Sequence, residues 1–213
     1  MTENLIRASL ETLHMIGLST LWTIVGGSGL GVILFVTRSN GLAPNGVVNR
    51  VLGVIVNIGR SAPFIILMVA ISSLTRLIAG TTIGSAAAVV PLSVAAIPFF
   101  ARLVESALIE VDPGLIEAAE AMGARRRGIV WRVLVPEALP ALVRGLTVTI
   151  VALTGYSAMA GAIGGGGLGD LAVRFGYHRY QTEYLIVSVV LLIVLVQIVQ
   201  FVGDLAARRL DHR

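Results

Sequence analysis

The charged residues with the most informative spacing lie in one polar segment of an otherwise apolar sequence. The segment runs from Glu117 to Pro136 and reads EAAEAMGARRRGIVWRVLVP. It contains no nucleophile, no cluster of metal ligands and no phosphate-binding loop, whereas its glycine and proline residues shape the backbone. This pattern predicts a docking surface that another protein drives, and it argues against a catalytic site.

Catalytic and metal chemistry is also scarce in the rest of the sequence. The 213 residues contain no cysteine and no lysine, so thiolate metal sites are excluded. A phosphate-binding loop of the form GxxxxGK[ST] needs a lysine to reach the terminal phosphates. Any ATP hydrolysis, with its ATP and Mg²⁺, therefore belongs to a partner subunit, and no cofactor is expected on this chain. His14, His178 and His212 are too dispersed to predict a metal site.

The composition is that of an integral membrane protein in contact with lipid. Hydrophobic residues make up 56% of the chain and charged residues 13%, and the mean hydropathy is +0.90. A soluble domain does not carry this proportion of apolar residues. The net charge of +4 reflects the basic residues that cytoplasmic loops retain, so no nucleic-acid partner is implied.

Five apolar segments are long enough to cross a membrane, because a spanning helix needs about 20 such residues. The fold class is therefore all-α, a bundle of five transmembrane helices in a single domain, 1–213, with its core at about 14–205 and a cytoplasmic segment at 110–140. The predicted spans are Met15–Thr37, Val48–Leu74, Ile83–Leu103, Leu142–Ile163 and Tyr184–Leu205.

The distribution of arginines predicts that the N-terminus lies outside and the C-terminus inside, because cytoplasmic loops are enriched in arginine. The long polar segment is then cytoplasmic, and the loop 164–183 faces outward. The predicted outer arginines are Arg7, Arg76, Arg174 and Arg179, and the inner ones are Arg38, Arg50, Arg102, Arg125, Arg126, Arg127, Arg132, Arg144, Arg208, Arg209 and Arg213.

A short helix is predicted at the start of the cytoplasmic segment. Asp112 and Pro113 are a typical helix start, and Gly123 is a typical helix end in the left-handed conformation. At helical spacing, Ile116, Ala119 and Met122 or Gly123 form a small apolar face. Ala118 and Ala119 leave this surface shallow enough for another protein to press on.

A second amphipathic turn follows, with Ile129, Val130 and Val133 on one side. Pro136 is predicted to end it, and Pro140 to keep it short. A helix lying on the membrane surface, with its arginines at anionic headgroups, is an equally good interpretation of this composition.

Glycines mark two further features. Gly27 and Gly31 have GxxxG spacing on the first span, which favours close packing within the chain or against a second copy. Residues 164–167 are all glycine, but they follow a helix and lack a lysine, so a turn that ends the fourth span is expected. Beyond them, residues 177–180 are predicted to be exposed, as a contact for a substrate-binding protein or as an interface anchor.

The polar segment resembles the EAA motif of permease subunits of ABC importers. The matching residues are Glu117, Ala118 and Ala119, then Gly123, then Pro136. The family usually has isoleucine and leucine where this chain has Val133 and Val135. The resemblance implies that Glu117, Ala118, Ala119, Gly123 and Pro136 couple the chain to an ATPase.

Other stretches resemble the methionine-importer permease family, of the MetI type. They are Arg60-Ser61-x-Pro63 before Phe64–Leu67, Gly155–Met159, and the loop Gly164–Gly169 followed by Asp170. The resemblance spans most of the chain. It implies a permease of the bacterial cytoplasmic membrane that works with a second copy of itself, two ABC ATPase subunits and an extracytoplasmic methionine-binding lipoprotein.

Two groups of residues are candidates for the translocation pathway or its gate. Arg60, with Ser61 and Pro63, lies inside an apolar span, where an arginine costs roughly 2.5–3.5 kcal/mol without water or a partner. It either lines the pathway or has a structural role, by snorkelling or by pairing, for instance with Glu105. The second group is Tyr156, Ser157 and Met159, whose larger side chains project from a surface of small residues. Ordinary helix packing is the alternative interpretation of this group.

Two other functions are compatible with an apolar bundle. A self-contained secondary transporter or channel would support ion-driven flux alone, but the small size and the scarcity of buried carboxylates argue against it. A membrane scaffold would have no transport role, and the arginine inside an apolar span argues weakly against that function.

Overall fold

The computed structural model describes residues 2–211, and these residues form helices, turns and loops with no β-strand. This confirms the predicted all-α class. In chain order the helices are α1 (Thr2–Thr37), α2 (Gly46–Ser61), α3 (Phe64–Ala70), α4 (Ser72–Ala79), α5 (Ser85–Ile109), α6 (Pro113–Ala121), α7 (Arg126–Ile129), α8 (Val135–Ala160), α9 (Gly167–Leu171) and α10 (Thr182–Leu210).

Four stretches of helix in the described chain are long and apolar enough to cross a membrane, and a bent pair of helices, if it forms one broken span, brings the number to five. The four are α1, α5, α10 and the helix that begins at Arg126, in which a π-helical turn joins α7 to α8 and the helical backbone ends before Ile163 and Gly164. Helices satisfy their own backbone hydrogen bonds, which lipid cannot do for them.

The second predicted span, Val48–Leu74, is not one helix. It is broken between α2 and α3, whose axes differ by 108°. Pro63 has no backbone N–H, and Ala62 before it is extended, with φ −72° and ψ 126°. Hydropathy continues across the break, so the apolar composition alone predicts a single span here.

α5 is the central helix of the bundle, and α1 packs closely along it through two glycines. A Cβ atom added at Gly31 would lie 2.6 Å from the Ala101 carbonyl oxygen and from Val104 Cβ. A Cβ atom at Gly27 would lie 2.9 Å from the ring of Phe100. The GxxxG pair therefore serves packing within the chain, which is one of the two interpretations of its spacing.

The glycine turn after α8 agrees with the prediction, but the segment beyond it is helical and is not a loop. Gly164, Gly166 and Gly167 all have positive φ, so the chain turns sharply there. It then forms α9 and the π-helical turn 172–177, and Leu168 and Leu171 are buried. A glycine-rich segment predicts a loop because it has few apolar side chains. Here the glycines have no side chain in the way, so α9 packs tightly against α1 and α8.

The packing of α1 on α5 can be tested with a matched pair of substitutions. We expect Gly31→Ala to destabilise the bundle by about 1–3 kcal/mol, because the added methyl group overpacks the contact. Gly29→Ala is the control, since a Cβ atom there has no neighbour within 4 Å. The measurement is the melting temperature of each variant in detergent. Equal melting temperatures would contradict the packing assignment.

Candidate coupling segment and translocation pathway

α6 begins and ends at the residues that the sequence indicates. The Asp112 side chain caps its start, where Oδ1 accepts the Gly114 N–H at 2.8 Å. At its end Gly123 is left-handed, with φ +76°. The Gly123 N–H donates to the Glu120 carbonyl at 2.9 Å, and the Ala124 N–H donates to the Ala119 carbonyl at 3.0 Å. These two bonds form a Schellman motif, which ends the helix sharply.

The orientation of α6 differs from the prediction. The face with Ile116 and Ala119, expected to receive another protein, is turned into the bundle: Ala119 is only 3% exposed and belongs to the core. The opposite face is free. It presents Ala118 together with Leu115 and Met122, the last of which is 82% exposed. Glu117 is also exposed. Ala119 therefore supports the helix, whereas Ala118 and Glu117 lie where another protein can reach them.

The prediction that Pro136 ends the amphipathic turn that follows α6 is wrong. The helix that begins at Arg126 continues through Pro136 and Pro140 into α8. A π-helical turn, Val130–Leu134, comes directly before Pro136, and the Val135 N–H donates to the Val130 carbonyl. This wider turn accommodates the proline, which lacks an N–H and crowds the preceding turn of an α-helix.

Apolar residues of the helix that begins at Arg126 pack the predicted coupling segment, residues 110–140, against the bundle. Ile129, Val130 and Leu134 are buried in the same core cluster as Ala119. Val133, predicted on the same side, is partly buried against that cluster. The three arginines at 125–127 and Arg132 are exposed.

The two groups of predicted pathway residues lie close together. Pro63 precedes Phe64, whose ring stacks on that of Tyr156 with 4.8 Å between centroids and 7° between planes. Arg60, Ser61 and Pro63 are exposed at the break between α2 and α3. The stack therefore brings this break to the C-terminal half of α8.

The suggested structural partner of Arg60 is wrong. Glu105 is paired with Arg102, whose Nη1 lies 2.5 Å from Glu105 Oε2. Arg102 also donates from Nη2 to Asn57 Oδ1 on α2 at 3.1 Å. Glu105 is therefore neutralised without Arg60.

Members of the second pathway group differ in their exposure. Met159 is 45% exposed and Tyr156 is half-buried. Ser157 is buried, and its hydroxyl donates to the Thr154 carbonyl at 2.8 Å. Ser157 thus belongs to the packing of the helix, as the alternative interpretation has it, and only Tyr156 and Met159 are placed to line a pathway.

At the opposite end of the bundle, α1 caps α9 through two side chains that sequence reasoning missed. Glu11 Oε2 accepts the Gly167 N–H at 2.9 Å, and Thr12 Oγ1 accepts the Leu168 N–H at 2.9 Å. The only signal in the sequence is an acidic residue close to an apolar span. Tyr177 and Tyr180 are exposed as predicted, at 69% and 90%.

No group of three or more metal-ligating side chains occurs among residues 2–211. His212 lies outside the described residues, and the other two histidines, His14 and His178, are not part of such a group. The arrangement has the parts of a coupled transport protein: an exposed helix that another protein can move, and a helix break beside an aromatic stack inside the bundle.

A comparison with known protein families decides the affiliation of the chain. The family described as "Binding-protein-dependent transport system inner membrane component" matches residues 27–213. The chain belongs to this family. The matched region contains the whole coupling segment and both groups of pathway residues.

Individual members of this inner membrane component family are similar over nearly the full length. The chain is 54% identical over 212 residues to a probable D-methionine transport system permease protein of Vibrio cholerae serotype O1, covering 100% of this chain and 94% of the relative. It is 50% identical to the corresponding protein of Pasteurella multocida, covering 97% and 95%.

Its fold also matches an inward-facing structure of the MetNI methionine ABC transporter with a TM-score of 0.97 and 48% identity, covering 100% and 98% of the two chains. The resemblance drawn from the sequence motifs is therefore confirmed, and with it the membrane fold of an inner membrane transport component.

The left-handed end of α6 gives a prediction that is independent of partners. We expect Gly123→Ala to weaken α6 by about 1–2 kcal/mol, since a side chain disfavours positive φ. Gly128→Ala is the control, because Gly128 is helical, has ordinary φ and has open space around its Cα. Hydrogen exchange of residues 113–124 should be faster in the first variant only. Unchanged exchange would contradict the Schellman assignment.

Proposed function

We propose that this chain is the permease subunit of an ATP-driven ABC importer that translocates methionine, in its D- or L-form, across the bacterial cytoplasmic membrane. The observation that carries the proposal is the TM-score of 0.97, at 48% identity over the whole chain, with a methionine ABC transporter. The chain catalyses no covalent chemistry in this proposal. Its role is to alternate access to a pathway, and no cofactor binds to it.

The proposed assembly contains two copies of the chain, two ABC ATPase subunits and an extracytoplasmic methionine-binding lipoprotein. The ATPase carries the ATP and Mg²⁺, which is consistent with the absence of lysine from this chain. Its docking surface is the coupling segment 110–140, where Glu117, Ala118 and Met122 are exposed on α6. Closure of the ATPase pair moves α6, and α6 moves the bundle through its buried face.

The orientation that we propose has the N-terminus outside and the C-terminus inside. It places α6 and the arginines of the coupling segment in the cytoplasm, in agreement with the positive-inside rule. The α9 end of the bundle, with exposed Tyr177 and Tyr180, then faces the binding protein. The pathway runs past Arg60, Tyr156 and Met159.

The substrate and the energy source are tested together. The permease, co-purified with its ATPase and binding protein, is reconstituted in liposomes, and uptake of labelled methionine is measured with and without ATP. We expect uptake only with ATP and binding protein. ATP-driven uptake of a different amino acid would retain the architecture and overturn the substrate. Ion-driven flux through this chain alone would instead support a secondary transporter.

Coupling through α6 is tested in the same liposomes. We expect Glu117→Gln to reduce methionine uptake about tenfold or more, since the proposed docking buries Glu117 in a charged contact with the ATPase, and loss of one partner of such a contact costs about 2–5 kcal/mol. Asp204→Asn is the control, because Asp204 is an exposed carboxylate near the end of α10, outside the coupling segment. Both variants should reach the membrane. Normal coupled uptake by the Glu117 variant would contradict the docking assignment.

A further inference from the structure

Arg60 lies near the middle of the bundle's depth. Its neighbour Gly59 packs on Pro98 of α5, where an added Cβ atom would be 2.8 Å from Pro98 Cγ. Pro98 comes thirteen residues after the first residue of α5 and eleven before the last. Since a helix of this length spans somewhat more than the hydrocarbon core of about 30 Å, the level of Pro98 is close to the membrane centre.

The charge of Arg60 is not neutralised by its own chain. The side chain is exposed and forms no ion pair within residues 2–211. Arg102 is the instructive contrast, because it is held by Glu105 and Asn57. A bare arginine at this depth costs roughly 2.5–3.5 kcal/mol, so it must meet water or an anion in the assembled protein.

A second copy of the chain has no carboxylate at the right depth for Arg60. In the described residues Glu105 is taken by Arg102, and Glu11 is bound to Arg7 and Gly167 at one end of α1. Asp204 lies six residues from the end of α10. A lipid phosphate is also too far away, because it lies at the membrane surface, about half of a 30 Å core distant. The remaining anion is one that enters through the pathway.

At the helix break, the carbonyl end of α2 lies beside the positive charge of Arg60. Pro63 has no N–H, so the Gly59 carbonyl oxygen lacks the hydrogen bond that a continuing helix would give it four residues later. The carbonyl end of a helix carries a partial negative charge and attracts cations. Broken helices inside membranes bind ions and polar substrates through such ends. One place therefore offers a guanidinium group and the carbonyl end of a helix.

The wall next to the break suits an apolar, polarisable side chain. Phe64 follows Pro63 and stacks on Tyr156, and Met68 and Met15 lie in the same core cluster. Met159, one turn beyond Tyr156 on α8, is 45% exposed. Thioether groups make favourable contacts with aromatic rings, and methionine side chains adapt to irregular surfaces.

We propose that the α2–α3 break, 59–64, is a transit site for the zwitterionic backbone of an amino acid. Arg60 binds the α-carboxylate, and the carbonyl oxygens of Gly59–Ser61 accept hydrogen bonds from the α-ammonium group. The substrate side chain lies towards Phe64 and Tyr156. This inference rests on the proposed import function and assigns its substrate contact.

Uptake by the complete importer in liposomes tests the role of the charge. We expect Arg60→Gln to lower ATP-driven methionine uptake about tenfold or more, while hydrolysis stimulated by the binding protein continues, so that more ATP is used per methionine imported. Arg60→Lys keeps a positive charge and should retain intermediate uptake. Arg50→Gln is the control, since Arg50 is exposed near the other end of α2. Normal uptake and normal ATP use by Arg60→Gln would overturn the proposal.

A second measurement does not depend on a variant that folds. A diazirine analogue of methionine is photolysed during ATP-driven turnover of the unaltered importer, and the labelled peptides are identified by mass spectrometry. We expect labels near Phe64 and Tyr156 that excess methionine suppresses. Uptake of the analogue without labels in these peptides would overturn the site while leaving the importer intact. Failure of the unaltered importer to take up methionine would contradict the proposed function itself.

Discussion

In the hydrocarbon core, a backbone N–H or C=O group without a partner costs several kcal/mol, and lipid cannot provide one. Each departure from helix in this bundle therefore needs a partner from another element. The Gly164 carbonyl accepts the Gly84 N–H at 2.8 Å, and Glu11 accepts the Gly167 N–H. The break at Pro63 is different, because Pro63 has no N–H to give to the Gly59 carbonyl. The glycine turn at 164–167 is therefore satisfied by packing within the chain, whereas the α2–α3 break can bind a substrate.

The coupling segment is part of the bundle's core and not an appended arm. Ala119 of α6 and Ile129 of the following helix share one cluster with Phe35 of α1 and Leu108 of α5. Close-packed interiors transmit displacement because they have few voids to absorb it. A force applied to the free face of α6 therefore reaches α5, and through it the helices that surround the break.

Much of this fold follows from local rules that a sequence displays. The limits of α6 were predictable because Asp112 and Gly123 act within a few residues of the ends they specify. The break at Pro63 was not predictable, since hydropathy measures the apolar character of a segment and carries no information on the direction of its helix axis. Pro136 was misread because a π-helical turn relieves the crowding that ends most helices. The inward face of α6 could not be predicted either, as Ala119 and Ala118 are chemically identical and only tertiary packing distinguishes them.

The last helix, α10, has a different kind of constraint. Only 6% of its most apolar stretch is buried within the chain, and its buried residues are Ser188, Gly203 and Ala207. Along most of α10, the chain itself therefore requires only that side chains be apolar. At these three buried positions it also requires that they be small. We expect leucine, isoleucine and valine to exchange freely among related permeases on its outer face, which an alignment would reveal as high diversity beside three nearly invariant small residues.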